Sequence, residues 1–243
     1  MIVLSVGMPR AGSGWYYNLT HDLVCASGGV DARQIRRRYR LHRVLTEVNC
    51  NIGALTPPRL LAVLPPALLG NTFAIKAHAG PTPLALSLIR RGLLRATYIY
   101  RDPRDALLSA FDYGQRAGQT GRSNAFSHLT DFETALAFML PYVKIWQAWM
   151  DCEQVLHVRY EDLLSDYDKE AQRLVSFLEI DRKKPGVHPV IEKYRPKQAA
   201  SEQKGLHFNI GKAGRFRREM TAEQQEKLNR SFSPYLERMG YPR

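Results

Sequence analysis

The sequence predicts an α/β fold: a central parallel sheet with helices on both faces, in a single domain over residues 1–243. Three observations carry this. Short apolar runs alternate with helix-like segments along most of the chain. The first run ends in a turn of G-x-x-x-x-G spacing, Gly7 to Gly12, which gives the fold a P-loop-like opening. The ends of the apolar runs carry Arg10, Lys76, Arg101 and Arg159. Ligands bind at the carboxyl ends of the strands in such sheets.

The elements follow in order. Residues 1–6 read as a buried strand closed by Gly7. Ser13 to Ala26 reads as a helix that starts at Gly12–Ser13 and stops at Gly28-Gly29. "TFAIKAH" (72–78), "RATYIYR" (95–101) and "QVLHVRY" (154–160) read as three further strands. Helices are expected at roughly 57–69, 81–92, 103–116, 131–150 and 161–179. A last helix covers "MTAEQQEKLNRSF", where Thr221 and Gln224 have capping-box spacing. Residues 31–56, 114–128 and 195–218 lack periodicity and read as irregular.

The chain has 243 residues, enough for one sizeable core. Its formal net charge of +12 attracts anions, but charge alone does not choose among nucleic acid, polysaccharide, lipid and cofactor. Cys25, Cys50 and Cys152 are scattered and odd in number, so neither a zinc site nor a disulfide framework is expected. A reduced, cytoplasmic, metal-free protein is expected, with no secretory signal. The most apolar stretch, "LLAVLPPALLG", is short and broken by Pro65-Pro66, so no membrane span is expected.

The opening loop, "GMPRAGSGW", points backbone N–H groups and a helix N-terminus at an anion. A nucleotide hydrolase would carry Lys and then Ser or Thr after the second glycine. Ser13 and Gly14 stand there instead. The nearest cation is Arg10. The loop therefore suits a terminal phosphate or phosphosulfate held without a metal. In "YIYRDPRDALLSAFDYG", Arg101 ends a strand and Ser109 lies about two turns into the next helix, so both can reach one phosphate. Lys76 and His78 alternate onto one face of another strand end.

Together these segments resemble the sulfotransferases that use 3′-phosphoadenosine 5′-phosphosulfate (PAPS). "PRAGSGW" is similar to that family's "PKSGTTW" loop, and "IKAHAGP" to its "KTHLP" stretch. "YIYRDPRDALLSAFDY" resembles its 3′-phosphate element, "HVRYEDLLSD" its "YEDL" strand end, and "GKAGRFRREMT" its late "RKGxxGDWKNHFT" segment. The five occur in the family's order and cover most of the chain. The resemblance implies a PAPS-dependent enzyme that sulfates a hydroxyl, less readily an amine, and releases adenosine 3′,5′-bisphosphate (PAP). It places Arg10 near the bridging oxygen of the leaving phosphate and wraps Ala11, Gly12, Ser13 and Gly14 around the 5′-phosphate. Trp15 faces the adenine and Tyr160 approaches it. Lys76 stabilises charge on the sulfuryl group, and His78 is the base. Arg101 and Ser109 hold the 3′-phosphate, with Gly211, Lys212 and Arg215 closing over it. A cluster of cations without acidic neighbours is what such a co-substrate needs.

The chain departs from the pattern in places. Arg10 replaces a lysine, and Gly14 replaces a hydroxyl residue. Asn209-Ile210 and Arg215-Phe216 stand where the late segment has Arg-Lys and Asp-Trp. "RQIRRRYRLHR" (33–43) reads either as a basic wall for an anionic acceptor, such as a partly sulfated glycan or an acidic lipid head, or as a solvated charged helix face. Residues 112–126 read as a lid or as an idle surface loop. The acceptor is expected to be a small molecule, glycan or lipid, with no specific nucleic acid. Arg217, Thr221, Ala222 and Glu226 faintly echo a dimerisation stretch, so a monomer or weak homodimer is expected. Two rival readings stand beside the enzyme: a P-loop nucleotide kinase or NTPase, and a non-catalytic polyanion binder.

Overall fold

The computed structural model describes residues 1–119, 121, 123–196 and 213–242. Four strands, β1 (Ile2–Gly7), β2 (Phe73–Ala77), β3 (Leu94–Tyr100) and β4 (Leu156–Arg159), form one sheet in the order β2-β1-β3-β4. All three pairings are parallel, with Ser5 beside Lys76 on one side and Thr97 on the other. The chain leaves β1 for one neighbour and later returns to pair on its other side. The strand order therefore reverses at β1, and the loop after β1 lies at the switch point where such sheets bind ligands.

Strand residues alternate between two cores. Ile2, Leu4 and Val6 of β1 face one layer with Phe73, Ile75, Leu94, Ala96 and Tyr98. Val3 faces the other with Ala74, Ile99 and Val158. The first layer is covered by α2 (Ala32–Arg38), α3 (Pro57–Leu68), α4 (Pro83–Arg90), α5 (Pro103–Gln119) and α6 (Phe132–Met150). The second is covered by α1 (Ser13–Ala26), α7 (Tyr160–Ser165), α8 (Tyr167–Phe177) and α9 (Val187–Lys193). Helices on both faces explain why the strands read as continuous apolar runs. After α10 (Phe216–Glu219), α11 (Ala222–Leu236) returns to the first layer through Leu228, Phe232 and Leu236. Thr221 and Gln224 form the expected capping box.

Three expectations are corrected. Residues 32–38 are helical, because the Asp31 side chain accepts the Arg33 N–H and caps a turn that buries only Ala32 and Ile35. Two apolar residues are too few to show a helical period among five polar ones. The helix expected over 161–179 is two helices, broken at Asp166, whose φ of −133° leaves the helical region. Helix α9 lies in a stretch for which no element was expected.

Candidate active site

The site is built at the carboxyl ends of β1, β2 and β3. Gly7 lets these ends close up: a Cβ there would lie 2.7 Å from Ile99 and 2.8 Å from Ser13. The chain then turns through Arg10 and Gly12, both left-handed (φ 63° and 75°), before α1 begins at Ser13. For Arg10 this backbone costs roughly 1–2 kcal/mol. Gly12 is obligatory, since a Cβ would sit 2.6 Å from the Tyr160 ring. The first main-chain bond into α1 runs from the Tyr16 N–H to the Gly12 carbonyl at 3.0 Å. The N–H groups ahead of it point out of the helix end, as an anion site requires. Ser13 is buried and Ala11 fully so; the Ala11 N–H turns back to the Met8 carbonyl.

The left-handed turn sends Arg10 toward α5. Its Nε donates to Ser109 Oγ at 3.2 Å. Its guanidinium lies 4.4 Å from the Tyr113 ring centre and 5.7 Å from that of Phe126. Phe126 comes from the segment read as lid or idle loop. It packs where a Cβ at Gly114 would strike its carbonyl oxygen, so part of that segment is a fixed wall around Arg10.

Beside Arg10, β2 ends in Lys76 and His78. The Lys76 side chain is buried, and burial with the Arg10 charge pushes its pKa down to about 8. His78 Nδ1 lies 2.6 Å from the Gly7 carbonyl oxygen. That oxygen only accepts, so Nδ1 carries the proton and Nε2 keeps its lone pair. Burial and the Lys76 charge push His78 down to about 4, against the opposing pull of the Gly7 bond. The imidazole is neutral at pH 7 with its acceptor nitrogen defined.

On the other side of β1, Arg101 follows β3. Asp102 caps α5 by accepting the Arg104 N–H, and Pro103 starts the helix. Arg101, Asp105 and Ser109 stand four residues apart, on one face of successive turns. The Arg101 guanidinium lies over the Tyr160 ring at 4.8 Å, and the same ring touches Gly12. Tyr160 thus joins the phosphate loop to Arg101. Arg104 is structural: it grips Asp102 twice and reaches Asn229 and the Pro242 carbonyl, tying α5 to the C-terminal segment.

A family model described as "Sulfotransferase domain" matches residues 3–240. The chain belongs to the sulfotransferase family. It is 21% identical to a 3-alpha-hydroxysteroid sulfotransferase of Cavia porcellus, over 94% of this chain and 95% of that one. It is 22% identical to an amine sulfotransferase of Oryctolagus cuniculus over 63% of this chain, and the match spans 58% of that relative's length. Among solved structures, a mouse sulfotransferase complexed with PAP covers 97% of this chain and 84% of its own, with a TM-score of 0.60 at 15% identity. A retinol dehydratase in complex with androsterone and PAP covers 97% and 80%, with a TM-score of 0.59 at 18% identity. These neighbours share the fold. The kinase and polyanion-binder readings are not favoured.

For this sulfotransferase the site expectations divide. Arg10, Lys76, His78, Ser109, Arg101, Tyr160 and the loop from Ala11 to Gly14 gather around the ends of three strands. Gly211 and Lys212 lie outside the described residues. Three expectations need correction. Arg215 is locked between Asp112 (2.7 Å) and Glu219 (2.6 Å), and these partners, Glu219 first, raise its pKa. Two carboxylates already neutralise it, so it offers no net charge to a phosphate. Nor is the cluster free of acids: Asp105, wholly buried, lies 3.5 Å from Arg101. Trp15 is packed inside. Its indole N–H donates to the Tyr194 carbonyl at 2.9 Å and its ring stacks on Tyr167, so its role is to hold α1 to α8 and α9.

Sequence reasoning missed Asp105 and Glu161. Asp105 also accepts the Gly214 and Phe216 N–H groups, fixing the start of α10 beside Arg101. Glu161 accepts the Asp102 N–H and the Tyr241 hydroxyl. Both stand in the quoted motifs, but only as charges beside more conspicuous neighbours. Among the described residues, no three of His, Cys, Asp and Glu converge as a metal-ligand set. No described helix is long and apolar enough to cross a membrane.

Proposed function

We propose that this sulfotransferase moves the sulfuryl group of PAPS to an acceptor hydroxyl, with His78 as the base. The observation that carries this is the His78–Gly7 bond. It leaves Nε2 unprotonated, beside Lys76 and the phosphate loop. PAPS supplies the group transferred: its S–O bond to the 5′-phosphate breaks as the acceptor O–S bond forms. His78 Nε2 takes the acceptor's proton. Lys76 and Arg10 face the charge that develops on the sulfuryl and leaving oxygens, and in a buried setting this is worth several kcal/mol. Gly12, Ser13 and Gly14 offer the helix end to the 5′-phosphate. Arg101, with Ser109, takes the 3′-phosphate, and Tyr160 lies between the two.

The residues fit such a nucleotide. The loop admits only glycine at position 12, and the charges that described residues exert on Lys76 and His78 include no carboxylate. The acceptor is a small molecule, glycan or lipid hydroxyl, as the steroid and retinoid relatives suggest. Three free thiols support a cytoplasmic setting. The test is PAPS turnover against phenols, sterols, glycolipids and oligosaccharides, with PAP binding measured in parallel. Sulfated product with PAP release is expected from one of these classes. A chain that neither binds PAP nor consumes PAPS overturns the reading.

A further inference from the structure

Charge is distributed very unevenly along this chain. Residues 32–101 hold twelve arginines and lysines against a single acid, Glu47, and so carry +11 of the +12 net charge. Six of those cations fall within α2 and the 3₁₀ turn after it (Leu41–Arg43), where Arg37, Arg38, Arg40 and Arg43 are exposed. Helix α3 follows, and Arg59 is its single charged residue. Its inner face is buried through Leu60, Val63 and Ala67, yet its outer face is apolar too. Pro58, Leu61, Pro65 and Leu68, spaced 3, 4 and 3 residues apart, are all exposed along one stripe. Leu61 is 54% exposed, Leu68 62% and Leu69 71%, and Val48 in the preceding loop is 71% exposed. These four are the large exposed hydrophobic residues among those described. A helix apolar on all sides is normally enclosed. Here one side faces water.

The basic and apolar features sit on adjoining elements. The Asn71 amide, just past α3, meets the Tyr39 hydroxyl at the end of α2 (3.5 Å). Arg59 of α3 donates to the Val44 carbonyl beyond the 3₁₀ turn (3.1 Å) and to that of Ile52 (2.7 Å). The loop also reaches the catalytic strand: the Ile52 N–H donates to Lys76 O and the Lys76 N–H to Cys50 O. The face therefore lies on the β2 edge of the sheet and runs up to the strand end that carries Lys76 and His78.

We propose that α3 and the arginines of residues 33–43 form a docking surface for an anionic lipid membrane, with the leucine stripe entering the headgroup region and the arginines pairing with lipid phosphates. Charge complementarity selects this occupant. A polyanion in solution would use the arginines but would not account for an exposed apolar stripe, and a second copy would set the six arginines of residues 33–43 against six more of like charge. An apolar face flanked by arginines is what an interfacial helix presents. Bound this way, the mouth beside Lys76 would open near the bilayer surface. On the sulfotransferase reading above, that favours an acceptor hydroxyl carried on a lipid.

The full chain tests this by cosedimentation with vesicles of phosphatidylcholine alone and of phosphatidylcholine and phosphatidylserine in equal parts. Neither arm requires turnover, so the docking result stands or falls apart from the enzyme reading. Binding is expected to the anionic vesicles and to be weak on neutral ones. The triple variant Leu61→Ser/Leu68→Ser/Leu69→Ser should lower partitioning by about tenfold or more. Arg37→Glu/Arg38→Glu should do the same, since each arginine near such a surface is worth roughly fivefold. Both variants should keep the wild-type melting temperature and PAP affinity. Failure to bind anionic vesicles overturns the proposal. So does wild-type binding by the leucine variant, which would leave electrostatics alone. A dimer seen by light scattering and dissolved by the leucine changes would assign the face to a second copy and also overturn it.

Discussion

Arg101 follows β3 and Lys76 lies in β2, on either side of β1, yet the protein keeps the two cations in opposite ways. Arg101 has Asp105 beside it and the Tyr160 ring beneath it. Farther along, Arg215 is held by two carboxylates and Arg104 by one. Among the described residues, Lys76 has only Arg10 among the charges acting on it, and His78 only Lys76. The side assigned to the 3′-phosphate is thus balanced by acids in advance. The side assigned to the sulfuryl group is left unbalanced, and its titrating groups are displaced toward their neutral forms. A balanced cation holds structure whether or not a ligand is present. An unbalanced one is stabilised only when an anion arrives.

The largest expected effect breaks the unbalanced side. His78→Ala should lower kcat/KM by about 10²–10⁴-fold while PAP affinity stays within a factor of a few. An equal loss of PAP binding would place His78 in nucleotide binding instead. Next comes the balanced side. Asp105→Asn removes the charge from a buried acceptor of two N–H groups and an arginine, and should cost about 3 kcal/mol of stability in urea unfolding. An unchanged midpoint would show that Arg101 needs no counter-charge.

The pH profile sharpens the contrast. In the roles proposed above, His78 acts unprotonated and Lys76 protonated, so kcat/KM should rise through about pH 4 and fall through about pH 8. Lys76→Arg should carry the alkaline limb out of range, because arginine stays charged there. A limb that does not move would belong to another group. The smallest effect concerns Gly14. A Cβ there meets no atom within 4 Å and its φ is not left-handed, so Gly14→Ser fits. By adding a hydroxyl at the helix end it should tighten PAP binding by roughly fivefold, about 1 kcal/mol. Weaker binding would mean that the space beside Gly14 is needed by the ligand.

The parts legible in the sequence are those in which local chemistry and global placement agree. Helix α1 was expected from Ser13 to Ala26 and runs so, because its punctuation is glycine at both ends. The strands ran within a residue or two of expectation, since burial on both faces leaves an unbroken apolar run. The gathering of Arg10, Lys76, His78 and Arg101 followed from the rule that parallel strands present one end to a ligand. What could not be read was partnership. Nothing local tells that Arg215 is spent on Asp112, about a hundred positions earlier, or that Trp15 turns inward to Tyr194. Asp105 was invisible for the same reason: its partners at 214 and 216 come close only once the last helices have docked.

The hydrogen bond from His78 to Gly7 carries a consequence for how such an enzyme diversifies. Its acceptor is a main-chain oxygen at the central strand's tip, and no exchange of side chains deletes it. Surrounding loops can be lengthened, recharged or replaced to admit different alcohols while the imidazole keeps the same proton on the same nitrogen. Chemistry is inherited with the backbone, and selectivity is free to drift.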